Sequence, residues 1–300
     1  MGHKKQTYGM IKLNEFDFNR DISKTIPFTS FIIAPKNCGK SLLLKTFLHS
    51  QRNRFLYGLL ASQTEGQTGF FKEFCPKSLI RIGYKPSYPE RLLKRGEQLS
   101  ERRVTPDKKQ TLLLADDCLT DLKRNDEATK KCFFNGRHYG ISTVITSQYP
   151  SLIPNDWREN CDYFFIGPLR GNNARECMYK MVESIFPSKE LFYNYLNKYT
   201  RNYKFLVVQL TTEGQVLEDS NSDDSFDLVK DVNNQIKTSV FWCRSDPKLK
   251  TKCFPDIYRD ENELRSQYNA INKTLRKRGD KYQTLDYKTN QWKDINWQRK

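Results

Sequence analysis

Short apolar runs recur along this chain, each followed by a polar turn and then a stretch with helical spacing. Runs such as Phe31-Ile32-Ile33 and Leu112-Leu113-Leu114 show no apolar–polar alternation, so they read as strands buried on both faces, as in a parallel sheet. The strand candidates are Phe28–Ala34, Phe55–Ala61, Leu79–Gly83, Thr111–Ala115, Thr143–Ser147, Tyr163–Gly167 and Tyr203–Leu210. Helical stretches fall between them at Lys40–Ser50, Pro89–Arg102, Asp121–Phe134, Ala174–Ser184 and Ser188–Lys198. This alternation predicts an α/β fold with a largely parallel central sheet flanked by helices. Residues 1–24 read as a polar, basic arm or lead-in strand, 25–210 as the core, and 211–300 as a C-terminal region. That last region holds an acidic loop over Glu213–Asp227 and a basic, aromatic tail from Lys273 onward.

Chemistry concentrates where the candidate strands end. The first ends in Ala34-Pro35-Lys36-Asn37-Cys38-Gly39-Lys40-Ser41 and runs straight into a helix. A buried strand, a tight loop closing in Gly-Lys-Ser and a helix together form an arrangement that cradles nucleotide phosphates. Backbone N–H groups of the loop and the helix N-terminus point at the phosphates. Lys40 then reaches the β/γ-phosphates and the Ser41 hydroxyl is a ligand for Mg²⁺. Ala34 stands where the usual pattern begins with Gly, so the loop must enter without a strained first residue.

Thr111–Asp117 is an apolar run ending in two carboxylates, placed where open α/β sheets bind ligands. Asp116 is the candidate Mg²⁺ partner, and Asp117 the candidate that polarises the attacking water. The alternative is a strand cap, with Asp117 helping to start a helix around Leu119–Lys131. A β-branched strand, Thr143–Ser147, ends in Gln148, whose amide carries both a donor and an acceptor for a phosphate and a water. The alternative there is a loop glutamine facing solvent.

Charge changes the picture next. Lys plus Arg number 51 against 35 Asp plus Glu, a formal net charge of +16. That excess favours a polyanionic partner without naming it. Basic residues gather between Tyr84 and Lys109, interleaved with Tyr84 and Tyr88, and again in the tail with Tyr282, Tyr287, Trp292 and Trp297. The first stretch reads equally as a solvated charged helix or as a phosphate-holding surface, and the tail either as backbone neutralisation with stacking or as a segment docked onto the core or a protein partner. The eight cysteines show no C-x-x-C spacing, which argues against zinc and for reduced thiols. No apolar run reaches the length of a membrane span, and the N-terminus lacks a signal-peptide core, so a soluble intracellular protein is expected.

These motifs, with Asn135-Gly136-Arg137-His138 before the Gln148 strand and Trp157–Phe165 after it, resemble the virion DNA-packaging ATPases of large DNA viruses. Within that group they look like the poxvirus-type branch of the FtsK/HerA superfamily. The resemblance runs roughly from Thr25 to Leu210. It implies a RecA-like P-loop ATPase core and a homo-oligomeric ring. It also implies ATP with Mg²⁺ as nucleotide and metal, and the movement of double-stranded DNA into a preformed capsid. A capsid or internal-membrane protein at the packaging vertex is the implied docking partner. The implied location is the host cytoplasm or viral factory, or the virion itself. Transition-state charge in such enzymes is often met by an arginine from a neighbouring subunit, and Arg137 and Arg158 are the candidates. His138 reads as a packing or hydrogen-bonding residue rather than a catalytic base. A cellular-type pump or helicase of the same superfamily, or a nucleotide switch without turnover, are the alternatives.

Overall fold

The computed structural model describes residues 10–55, 57–103, 110–121, 126–210, 234–246 and 249, with strands at 275–278, 281–286 and 291–294. The chain divides into two compact units, Met1–Phe254 and Pro255–Lys300.

The strands of the first unit are β1 (Asn14–Glu15), β2 (Thr29–Ile33), β3 (Tyr57–Ser62), β4 (Ile80–Ile82), β5 (Thr111–Asp116), β6 (Ile141–Ser147), β7 (Tyr163–Ile166), β8 (Lys204–Gln209) and β9 (Val240–Arg244). They form one sheet in the order β1-β9-β8-β7-β2-β6-β5-β3-β4. Among the described strands of this sheet β8 alone runs antiparallel to its neighbours. The α/β class and the largely parallel sheet expected from the apolar pattern are therefore what the chain adopts.

Helices cover both faces for a reason visible in β2 and β7. Side chains alternate across a strand, so consecutive apolar residues must find cover on both sides. Phe31 and Phe164 lie on one face, against Phe133 of helix α4 (Glu127–Tyr139) and Trp157. Phe165 lies on the other, stacked on Phe18, which in turn meets Phe47 of helix α1 (Lys40–Ser50). Helix α3 (Ser87–Glu101), which follows the short α2 (Glu65–Thr68), packs on α4 so closely that a Cβ at Gly96 would lie 2.5 Å from the Tyr139 carbonyl oxygen.

Three features depart from the sequence expectations. The sheet extends past 210, since β9 lies in the C-terminal region, while β1 gives the arm the lead-in strand read for it. Strand β1, two residues long, forms the sheet edge and is too short to leave a periodic signal, and β9 lies just inside it, between β1 and β8. Helix α4 continues to Tyr139 rather than ending at Phe134, so Gly136, Arg137 and His138 are helical, not part of a loop. Asp126 caps its start by accepting from Thr129 N at 3.3 Å, and Gly140 at φ 70° closes its end. Tyr84 and Tyr88 are buried, and the Tyr84 hydroxyl meets Thr129 Oγ1, so these tyrosines belong to the core and not to a phosphate-binding surface. Lys108, Lys109 and the acidic segment 213–227 lie outside the described residues.

The second unit holds an antiparallel meander, β10 (Leu275–Arg278), β11 (Lys281–Asp286) and β12 (Gln291–Asp294). Its backbone register pairs Lys277 with Tyr282 and Leu285 with Trp292. The basic tail thus contains a small sheet that the tail's composition did not announce.

Candidate functional site

Strand order brings the chemistry together. β6 lies between β2 and β5, so the loop after β2 and the polar ends of β5 and β6 meet at one carboxyl edge.

The loop after β2 enters without strain. Ala34 has negative φ; Asn37 (φ 60°) and Gly39 (φ 91°) are the left-handed residues that turn it. Asparagine tolerates that region, and glycine does so at no steric cost. Ala34 donates its N–H to the Ser147 carbonyl at 3.1 Å, tying the loop to the end of β6. Its methyl is accommodated by a glycine opposite: a Cβ on Gly167 would sit 2.5 Å from Ala34 Cβ. Gly39 caps α1, and Leu43 N donates to its carbonyl at 2.8 Å. Cys38 is buried, its thiol 3.5 Å from the Lys36 carbonyl, while Pro35 and Ser41 are half-buried and Lys36 and Asn37 exposed.

Lys40 is only 7 % exposed at its side chain. Its ammonium donates to the Ala34 carbonyl at 2.9 Å and the Pro35 carbonyl at 3.5 Å, and lies 3.8 Å from Asp117 Oδ1. The lysine curls back over its own loop towards the end of β5.

Asp116 is 5 % exposed, and both carboxylate oxygens accept hydroxyl hydrogen bonds. Thr146 Oγ1 donates to Oδ1 at 2.8 Å and Ser62 Oγ to Oδ2 at 3.1 Å. Burial pushes its pKa above the ordinary carboxylate value; the nearby Asp117 charge adds to the rise, while the Thr146 and Ser62 hydrogen bonds and Lys40 oppose it. Asp117 turns the chain at φ 50° and donates its N–H to Thr146 Oγ1 at 2.8 Å. Gln148 Nε2 donates to Asp117 Oδ2 at 3.0 Å. Lys40, Asp117 and Gln148 therefore form one polar chain across three strand ends. Beside it opens a cavity of about 290 Å³ lined by Lys36, Asp117, Thr146, Gln148, Tyr149 and Leu152.

The two arginines lie elsewhere. Arg137 pairs with the buried carboxylate of Asp162, which also accepts from Thr29 N at 2.7 Å. Thr29 and Asp162 stand at the starts of β2 and β7, the amino edge of the sheet, opposite Lys40. Arg158 Nε donates to the Ile153 carbonyl at 2.9 Å. It lines a separate surface cleft of about 500 Å³ with Asn155, Glu159, Lys180, Met181 and Ser184.

Sequence reasoning missed Ser62 and Thr146, the hydroxyls that hold Asp116. The signal was present, since Ser62 ends the apolar run of β3 as Asp116 ends that of β5. Thr146 shares the strand face of Gln148 two residues on, because alternate residues point the same way. Gly167 was unremarked because its role exists only beside Ala34.

No family model matches this chain. It is similar to the uncharacterized protein 015R of Frog virus 3 (isolate Goorha), with 30 % identity over 198 residues, 64 % of this chain and 60 % of that protein. It thus spans less than two-thirds of that relative's length. The uncharacterized protein L437 of Acanthamoeba polyphaga mimivirus is 26 % identical over 221 residues, 71 % of this chain and 76 % of its own. Among solved structures, the genome packaging NTPase B204 from Sulfolobus turreted icosahedral virus 2 in complex with ATP-gammaS overlays with a TM-score of 0.48 at 14 % identity. That overlay covers 63 % of this chain and 94 % of B204. The pCW3 conjugation coupling protein TcpA with ATPgS overlays with a TM-score of 0.44 at 15 % identity, covering 63 % of this chain and 59 % of that one. No helix among the described residues is long and apolar enough to cross a membrane.

Proposed function

We propose that this protein is an ATPase that drives double-stranded DNA into a viral capsid, as the poxvirus-type packaging ATPases do. The observation that carries the ATPase reading is the convergence of Lys40, Asp116, Asp117 and Gln148 on one sheet edge, with Asp117 held between the lysine and the amide. The polyanion reading is supported by the formal charge of +16, and the viral setting by relatives in large DNA viruses.

The triphosphate lies along residues 34–41, its charge met by loop N–H groups, by the α1 N-terminus and by Lys40. Binding draws the Lys40 ammonium from the Ala34 and Pro35 carbonyls to the phosphates. The residues present fit a magnesium ion: Ser41 and Asp116 offer the hard oxygens it prefers, and Asp116 is an anion kept in place by two hydroxyls. Bound there with the nucleotide, Mg²⁺ supplies neutralisation of phosphate charge. Asp117 orients and polarises the attacking water, and Gln148 fixes that carboxylate while its carbonyl end stays available to the water or the γ-phosphate.

Arg137 lies at the opposite edge from Lys40, so it can reach only the nucleotide of another copy, in a ring. Its side chain is 53 % exposed despite the pairing to Asp162. Arg158 is the second candidate for that role. The expected docking partner is a capsid or internal-membrane protein at the packaging vertex.

The test is steady-state ATP hydrolysis with and without long duplex DNA. Turnover stimulated several-fold by duplex, and abolished by Lys40→Ala and by Asp117→Asn, is the expected result. Turnover indifferent to DNA would overturn the motor reading, and ATP binding without turnover would favour a switch.

A further inference from the structure

One aromatic residue sits beside the phosphate loop in a conformation that packing alone does not call for. Asn202 and Tyr203 adopt φ 54° and φ 59°, both left-handed. For a bulky aromatic residue that region is an outlier, and such strain persists only where the surroundings over-determine it. Here they do. Ser245 donates both its N–H and its hydroxyl to the Tyr203 carbonyl, each at 3.2 Å. The next residue, Asp246, donates its N–H to Thr46 Oγ1 of α1 at 2.9 Å.

The consequence is where the ring ends up. A Cβ on Gly39 would lie 2.8 Å from Tyr203 Cδ1 and 3.5 Å from Ser245 Oγ. Tyr203 therefore rests on the glycine that starts α1, yet it remains 51 % exposed. A residue held in strain to fill a core would be covered; this one is held open. Together, Tyr203, Ser245 and the Asp246 backbone form a wall along the first turns of α1. That wall stands directly beside the loop on which the phosphates would be seated.

We propose that Tyr203 is the platform on which the base of the bound nucleotide stacks, and so the residue by which the site prefers a nucleoside triphosphate to bare polyphosphate. The inference rests on the nucleotide reading above and adds to it the recognition of the base. Stacking suits the task because every base offers a π-face, and an aromatic side chain loses little entropy in holding it.

The test compares two probes on the full chain by titration calorimetry with magnesium: a non-hydrolysable ATP analogue and inorganic tripolyphosphate. Tyr203→Ala is expected to weaken the analogue about 5- to 150-fold, the range for losing one base–aromatic stack. Tripolyphosphate affinity should be unchanged, and Tyr203→Phe should bind both probes as wild type does. If Tyr203→Ala binds the analogue normally, or weakens both probes equally, the ring merely props the loop and the inference fails. Those results leave the nucleotide reading intact. A wild-type protein that binds neither probe would instead overturn the nucleotide reading, and the base platform with it.

Discussion

At the scale of single residues, the site trades stability for chemistry, most visibly at Asp116. Burial lifts its folded pKa above the value it has in the unfolded chain. The folded state therefore holds this proton more tightly, and the group favours folding only at low pH. Its contribution is lost as pH rises through the raised folded value. Asp116→Asn keeps a side chain able to meet both Thr146 and Ser62 and removes the buried charge. Thermal unfolding of the nucleotide-free variant at neutral pH should come a few degrees above wild type, as about 1 kcal/mol gives at this chain length. The gain should shrink towards acid pH, where wild-type Asp116 is itself neutral. Hydrolysis should be lost in the same variant. An unchanged or lowered midpoint at neutral pH would show that the two hydroxyls, with Lys40, already outweigh the cost of burial.

The elements show how a departure in one motif is absorbed by another. Ala34 puts a methyl where the loop pattern has none, and the end of β7 makes room with Gly167. Gly167→Ala would drive two methyl carbons to 2.5 Å and should destabilise by about 1–3 kcal/mol. Ala34→Gly alone should cost little, and the double variant should recover most of the Gly167→Ala loss. Denaturant unfolding of the three variants would measure that coupling, and strict additivity would refute it. Element positions were largely legible, because buried parallel strands read as unbroken apolar runs and the phosphate loop follows one of them. The end of α4 was not. Gly136 looks like a helix stop, but it is there because a Cβ would lie 2.7 Å from the Ile141 carbonyl, a packing reason invisible in one dimension. The partners of Asp116 were half legible: strand-end polar residues announce themselves, while their pairing depends on β3, β5 and β6 lying side by side.

For the whole molecule, strand order decides what one chain can do alone. It gathers Lys40, Asp116, Asp117 and Gln148 at one edge and leaves Arg137 at the other, paired to Asp162. An arginine so placed serves catalysis only across an interface. In the proposed ring, mixtures of Arg137→Ala and Lys40→Ala chains should then regain part of the hydrolysis that each variant lacks by itself. A purely structural Arg137 would give no recovery. It would instead show in unfolding as a loss of about 1–3 kcal/mol, the cost of leaving a buried carboxylate oxygen unpaired.

The Asp246–Thr46 hydrogen bond joins residues 200 positions apart, which bears on the order in which the protein is made. At about 5–20 residues per second, roughly 10–40 s separate synthesis of the phosphate loop from synthesis of the wall beside it. Strands β2 to β8 have all been translated before that wall exists. A nascent chain thus carries the proposed phosphate loop well before it carries the side that Tyr203, Ser245 and Asp246 close.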